Sequence, residues 1–372
     1  MKMKQGAKRA LARRSFVAGA SLAGAAWATE GWGWPTSAGT PSQAAHPAGP
    51  LLLDGGFASA RKIAEGVYAV VSDTTKGFDT LCNGGFFLGR DAAIVWEGYA
   101  TAKGAAFQLQ ALQKVYKRPV MAAIDSHYHF DHTCGNSQYA EAKIPIWAHA
   151  KVGPLIQERY VPLQKSDKSQ FLEAAEKHLH DAVSEDDQKH AEGDLAALKN
   201  VAALVDAAVL TLPTRSLQPS ELPMKIDLGG LELVLETHPG HTPGDLILRV
   251  PAQEIVFAGD LLFNHSYPVT MDADVASWMQ TLDAFGRFGR KTLFVPGHGP
   301  VCGQEGVELL KTVFADLAQH ARQMAQLGVP LPEAQRRYSV PERFKGLGMM
   351  CWEFCVDQAV AQFYEAAVAG KI

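Results

Sequence analysis

Three histidines and an aspartate fall within six residues of the segment Ser126-His127-Tyr128-His129-Phe130-Asp131-His132-Thr133-Cys134-Gly135-Asn136. Burying so many polar side chains costs free energy unless partners or a cation satisfy them, and imidazole with carboxylate is a donor set that suits zinc. The apolar run Val120-Met121-Ala122-Ala123-Ile124 just before it reads as a strand. In extended backbone His127 and His129 project to one side, so two rings can converge on one ion. Asp131 and His132 fall where a turn would start a helix, and can point at a second ion beside the first. Three further donors lie far along the chain: His241 in Pro239-Gly240-His241-Thr242-Pro243-Gly244, Asp260 in Ala258-Gly259-Asp260, and His298 in Pro296-Gly297-His298-Gly299-Pro300. Each is placed at the end of a predicted strand, in a glycine-containing turn that can bend sharply and aim a side chain. A metal site with an open or shared solvent position is catalytic rather than structural.

Strand-like runs come in two batches. The first holds Val67 to Val71, Gly85 to Leu88, Ala93 to Trp96 and Val120 to Ile124, short apolar or β-branched stretches bounded by turn residues. The second, between Met224 and Val301, holds Leu231 to Leu235, Leu246 to Val250, Glu254 to Ala258 and Thr292 to Val295. Apolar residues at helical spacing mark 102 to 116, 277 to 285, 305 to 327 and 353 to 369. Two similar batches suggest two packed sheets with helices outside, a pattern that other α/β arrangements share. Between them, residues 151–217 are rich in Ala, Leu, Glu, Asp, Lys and His and read as two or three amphipathic helices. They form an insertion over one end of the sandwich: a lid, a surface for dimer formation, or cover for an apolar edge.

The order His-x-His-x-Asp-His, Gly-His-Thr, Gly-Asp and Gly-His-Gly resembles the metallo-β-lactamase superfamily, from about Leu51 to the C-terminus outside the insertion. The resemblance implies a four-layer αββα sandwich with two metal ions at one edge between the sheets, zinc first, with iron or manganese as alternatives. It gives His127, His129 and His241 to the first ion, Asp131, His132 and His298 to the second, and Asp260 to both. It implies a bridging hydroxide attacking an ester, thioester, lactone or amide carbonyl, the proton handled by a coordinated water or by Asp131. A bridging Asp260 resembles glyoxalase II-like and lactonase-like members and departs from true zinc β-lactamases. At Trp96-Glu97-Gly98 the sequence has Glu where the family usually has Asp at the strand end. A narrower likeness joins it to exported members associated with quinoprotein or sulfur-oxidation systems. The alternatives are a mononuclear iron dioxygenase and an exported accessory protein that binds metal without turnover. Tyr267 is a candidate donor to a substrate carbonyl oxygen and His265 a candidate pocket residue, although a surface or supporting place is the simpler account of His265 and His238. His149 reads as structural, and His178, His180 and His190 as solvated.

The 372 residues are 47% hydrophobic and 20% charged, which excludes fibrous and disordered classes. A net charge of −4 with signs mixed along the chain leaves no footprint for nucleic acid or an anionic membrane, so the expected partner is a small molecule. Five scattered cysteines make no disulfide framework, and Cys351 and Cys355, four apart on one helix face, are poorly placed to pair. Residues 1–28 combine Lys2, Lys4, Lys8, Arg9, Arg13 and Arg14 with an apolar stretch from Phe16 to Trp27, too short to span a membrane, and Ala26-Trp27-Ala28 as a cleavage site. Arg13-Arg14-Ser15-Phe16-Val17 resembles a twin-arginine export signal, with Ala12 and Ala18 departing from the polar residues usual at its edges. Residues 29–50 read as a disordered leader, 51–372 as the folded domain, and the periplasm as its destination.

Overall fold

A computed structural model describes residues 49–348 and 352–372. The expected signal peptide (1–28), nearly all of the leader (29–50) and Cys351 lie outside the described residues. Strands β1 (Leu51–Asp54), β2 (Ala58–Ala64), β3 (Val67–Ser72), β4 (Gly84–Leu88), β5 (Ala93–Trp96), β6 (Val120–Ile124), β7 (Ile146–His149) and β8 (Arg215–Leu217) form one sheet in sequence order. Strands β9 (Met224–Asp227), β10 (Glu232–Thr237), β11 (Leu246–Val250), β12 (Ile255–Phe263) and β13 (Leu293–His298) form the second, in the order β13-β12-β11-β10-β9.

Alternation along the strands builds the layers, because successive side chains point to opposite faces. In β5, Ile94 and Trp96 enter the core between the sheets while Ala93 and Val95 face the helix Ala102–Val115. In β12, Ile255 and Phe257 enter the same central core while Val256 and Ala258 face the helices Val275–Phe285, Gln304–Gln326 and Trp352–Val368. The first of these helices presents Val275, Trp278, Leu282 and Phe285 to the sheet at helical spacing, and Asp274 caps it by accepting from the Ser277 amide at 3.3 Å. The result is helix, sheet, sheet, helix: the αββα sandwich, with a helical insertion. Among the described residues no helix is long and apolar enough to cross a membrane.

Strands β5 to β8 pair in parallel, so each link between them must cross over, and the insertion is the crossover from β7 to β8. It consists of the helices Val152–Lys165, Ser169–Asp181 and Glu185–Ala207. The span expected for it, 151–217, therefore ends inside the sheet, at β8. Its apolar face packs on the histidine-rich segment: Val152, Ile156, Tyr160, Leu163, Val201, Leu204 and Val205 share a core with Tyr128, Phe130 and Cys134. Cys82, Cys134 and Cys302 are buried free thiols, and Cys355 is buried as well.

The expected turns around Asp260 and His298 are corrected. Strand β12 runs on to Phe263 and β13 to His298, so both donors lie within strands. The bend instead comes from an irregularity in the β12–β13 pairing on either side of Gly259, whose φ of +51° is easy only for glycine.

Candidate metal centre

Seven side chains predicted from sequence are brought together at one end of the two sheets. They form two groups able to hold a metal ion: His127, His129, His241 and Asp260, and beside them Asp131, His132 and His298. His127 and His129 occupy the bend after β6, Asp131 and His132 the short helix Phe130–Thr133, His241 the loop between β10 and β11, and Asp260 and His298 neighbouring strands. Close approach sets the need for glycine here: a Cβ on residue 297 would stand 1.9 Å from Asp260 Oδ1, and one on residue 259 2.8 Å from the Ser126 Cβ. Asn83 holds the end of β13 in place by donating to the carbonyls of Pro296 (3.0 Å) and Gly299 (2.7 Å).

Asp260 touches both groups. Its Oδ2 lies 3.3 Å from His241 Nε2 and 3.3 Å from His298 Nε2, and its Oδ1 lies 3.2 Å from His132 Nε2. Asp131 Oδ2 is 3.3 Å from His298 Nε2 and 3.5 Å from His132 Nε2. The nitrogens turned inward are thus Nε2 of His127, His132, His241 and His298. His129 is the exception, since its Nδ1 meets His241 Nε2 at 2.9 Å while its Nε2 points to Asp272 Oδ2 at 3.6 Å.

The opposite edges of these rings are held from outside. His241 Nδ1 lies 3.0 Å from the Val269 carbonyl, which can only accept, so that nitrogen carries the proton and Nε2 is free as a ligand. His132 Nδ1 lies 3.1 Å from Glu97 Oε2 and 3.3 Å from Ser126 Oγ, and His127 Nδ1 is 2.9 Å from the same hydroxyl. Glu97 is fully buried at a left-handed φ of +78°, a backbone conformation costly for a non-glycine residue and typical of functional positions. The longer carboxylate at the strand end therefore supports a ligand ring, the place the sequence comparison with the family left open.

The residues fit a pair of cations. His127 Nε2, His132 Nε2 and Asp260 Oδ1 inside the cluster, and His129 Nε2 on its outer side, are buried with no hydrogen-bond partner, and such orphans are costly unless something else satisfies them. Burial pushes His241 down to about 3 and, with the neighbouring rings, holds His127 well below its ordinary value, so these rings are neutral and ready to ligate. Burial works the same way on His298, but Asp260 and Asp131 outweigh it and raise His298 to about 10. His132 is likewise raised by acidic neighbours against its burial, and His132 and His298 in turn hold Asp131 and Asp260 below the usual carboxylate range despite theirs. The two carboxylates thus favour positive charge at His132 and His298, a demand that bound cations would meet.

The remaining candidates lie elsewhere. Tyr267 is corrected: it is buried in the helix-side core beside Tyr338, whose hydroxyl donates to Asp316 on the helix Gln304–Gln326. The aromatic ring, not the hydroxyl, decided its place. His265 is exposed just beyond β12, His238 pairs with Glu236 at 3.1 Å, and His149 accepts from the Lys151 amide at 3.2 Å. Sequence reasoning missed Ser126, Asp272 and the Val269 carbonyl. Ser126 alone had a signal, its place directly before the first ligand.

Fold and cluster together define a class, an αββα sandwich with a two-part histidine–aspartate centre at the sheet ends. A sequence profile described as the metallo-beta-lactamase superfamily matches residues 91–298. The chain belongs to that superfamily, whose members typically are metal-dependent hydrolases. A solved structure of a metallo-beta-lactamase from Pontibacter korlensis superposes with a TM-score of 0.50 at 17% identity, covering 69% of this chain and 99% of that one. At that identity the likeness is one of fold. Uncharacterised proteins of Mycobacterium bovis and Mycobacterium tuberculosis are each 32% identical over 108 residues, 27% of this chain and 48% of theirs, so the chain spans about half the length of the curated relatives it matches.

Proposed function

We propose that the chain is an exported dinuclear zinc hydrolase acting on an ester, thioester, lactone or amide carbonyl, closer to glyoxalase II-like and lactonase-like members than to true β-lactamases. One observation carries the reading: Asp260 reaches ligands of both groups at 3.2–3.3 Å, the place of a bridging carboxylate. His127, His129 and His241 would hold one ion, Asp131, His132 and His298 the other. What zinc supplies there when bound is Lewis acidity and hydroxide near neutral pH.

The chain's own residues do the rest. His298 is the most open of the seven, its side chain 17% exposed beside Asp131 at 8%, whereas His132 and His241 are sealed. Substrate therefore enters on the Asp131–His298 side. Asp131, paired with His298 at 3.3 Å and 8% exposed, is the more open of the two cluster carboxylates and the candidate to accept a proton from water and return it to the leaving group. Phe263 stacks on the His298 ring with centroids 5.2 Å apart, and together with Trp278 it excludes water from the inner wall.

Metal analysis of purified protein, followed by a zinc-loaded panel of aryl esters, lactones, glutathione thioesters and β-lactams, tests the reading. About two zinc per chain and turnover of an ester, thioester or lactone are expected. About one iron per chain, or zinc-replete protein with no turnover of any of them, would reject it. Export is tested separately: changing Arg13 and Arg14 together to lysine is expected to leave the protein in the cytoplasmic fraction, and undiminished periplasmic recovery would reject the twin-arginine route.

A further inference from the structure

We propose that Arg159, in the helix Val152–Lys165 of the insertion, is a positioning residue for the first group of ligands, acting through Asp272 on His129. The proposal rests on the reading of the cluster as a metal centre and states what the insertion contributes to it.

The segment between β12 and the helix Val275–Phe285 carries two acceptors that face ligand rings from outside. Asp272 Oδ2 stands 3.6 Å from His129 Nε2, and the Val269 carbonyl accepts from His241 Nδ1 at 3.0 Å. These rings meet at 2.9 Å, so a shift of this one segment moves two donors of the same ion. Either ring turned over would present carbon where nitrogen is needed.

The insertion grips the segment at both acceptors. Arg159 Nη2 holds Asp272 Oδ1 at 3.2 Å, which leaves Oδ2 for His129 and for the Tyr128 hydroxyl, which donates to it. Val269 packs with Ala197 and Leu198 of the helix Glu185–Ala207 and with Cys355. From the C-terminal helix Gln362 donates to the Met271 carbonyl at 2.9 Å, and the Asp274 amide donates to the Gly240 carbonyl, next to His241, at 3.0 Å. Arg159 is itself pre-placed. Its neighbour Tyr160 is buried against Tyr128, ring centroids 5.9 Å apart, in the core the insertion shares with the histidine-rich segment. The Arg159 and Asp272 side chains are 28% and 15% exposed, so their attraction is less screened than that of a surface pair. At 3.6 Å Asp272 faces the outer nitrogen of His129 as a charge rather than as a hydrogen-bond acceptor; a carboxylate placed behind a ligand histidine bears on ring orientation and basicity, and loss of such a partner typically weakens metal binding about 10- to 100-fold. Here that carboxylate is itself held by a helix that supplies no ligand.

The test uses the full chain stripped of metal and titrated with zinc against a chromophoric chelator, with the cobalt(II) absorption spectrum as a second readout. Asp272→Asn is expected to weaken the ion held by His127, His129 and His241 about 10- to 100-fold and to alter the cobalt spectrum. Arg159→Leu should weaken the same ion about 3- to 10-fold, Arg159→Lys should restore most of it, and Arg159→Leu should add nothing once Asp272→Asn is present. Affinity for the other ion, from the same titration, should stay at the wild-type value. If Arg159→Leu does not fold, Tyr128→Phe, which removes one hydroxyl on Asp272 and keeps the ring, is expected to weaken the same ion several-fold. Wild-type affinity and spectrum in folded Asp272→Asn, or lowered thermal stability of Arg159→Leu with both affinities unchanged, would overturn the proposal while leaving the metal centre in place. A wild-type chain that takes up no metal would instead overturn the centre itself.

Discussion

Asp260→Ala is expected to lower bound metal from about two ions per chain to one or fewer, and to cut turnover of whichever substrate the panel identifies by roughly a thousandfold. The size follows from how many groups depend on this carboxylate. It lies within 3.3 Å of His132, His241 and His298, and among the described residues no other acid is placed to substitute. Asp131 reaches only His132 and His298, Glu97 is behind His132, and Asp272 is behind His129. Metal stabilisation of transition-state charge is worth several kcal/mol, and each ~1.4 kcal/mol is a factor of ten in rate. Asp260→Asn keeps the shape and loses the charge, so it should fail almost as badly; a purely spatial role would spare it. Elemental analysis beside initial rates decides the matter. Two ions retained with turnover within about tenfold of wild type would remove Asp260 from the centre.

How much of this was legible beforehand depends on how far each signal travels along the chain. Residue type and spacing marked all seven cluster residues, because no other use of His127, His129, Asp131 and His132 in one short segment is cheap. The layers were legible where alternation is strict: β5, β6 and β11 have the expected limits, since every residue of β5 and every second residue of β11 is committed to a core. Strand ends were not legible at Asp260 and His298. There a glycine that would ordinarily signal a turn acts as a bulge, and pairing between β12 and β13 carries the strand past it. Outer support was the least legible. Asp272 lies 143 positions after His129, and nothing local distinguishes it from a solvated loop acid. Arg159 looks like any cation on an amphipathic helix until tertiary packing lays that helix on Tyr128. Tyr267 shows the converse, a residue with suitable chemistry that the core claimed for its ring.

Trp278→Ala should be among the most damaging single changes outside the cluster, lowering unfolding free energy by about 3–5 kcal/mol. Trp278 is fully buried on the helix Val275–Phe285, meets Phe314 edge-on with ring centroids 4.9 Å apart, and stands 5.2 Å from the His241 ring. Truncation would open a cavity among residues that cannot all collapse into it, since Phe263, Leu282 and Phe314 belong to the same rigid layer. It would also strip the Leu261 carbonyl of the indole N–H that donates to it at 3.0 Å, leaving a buried acceptor unpaired one residue from Asp260. Stability and function are coupled at this point: the side chain that fills the helix-side core also backs His241 and holds the strand that presents Asp260. Denaturant unfolding of metal-free protein would isolate the packing loss, and repeating it with zinc would show whether the centre is disturbed as well. A loss below about 1 kcal/mol would mean that the layer repacks around the gap, and would contradict the account of the sandwich as the rigid support of its metal-binding edge.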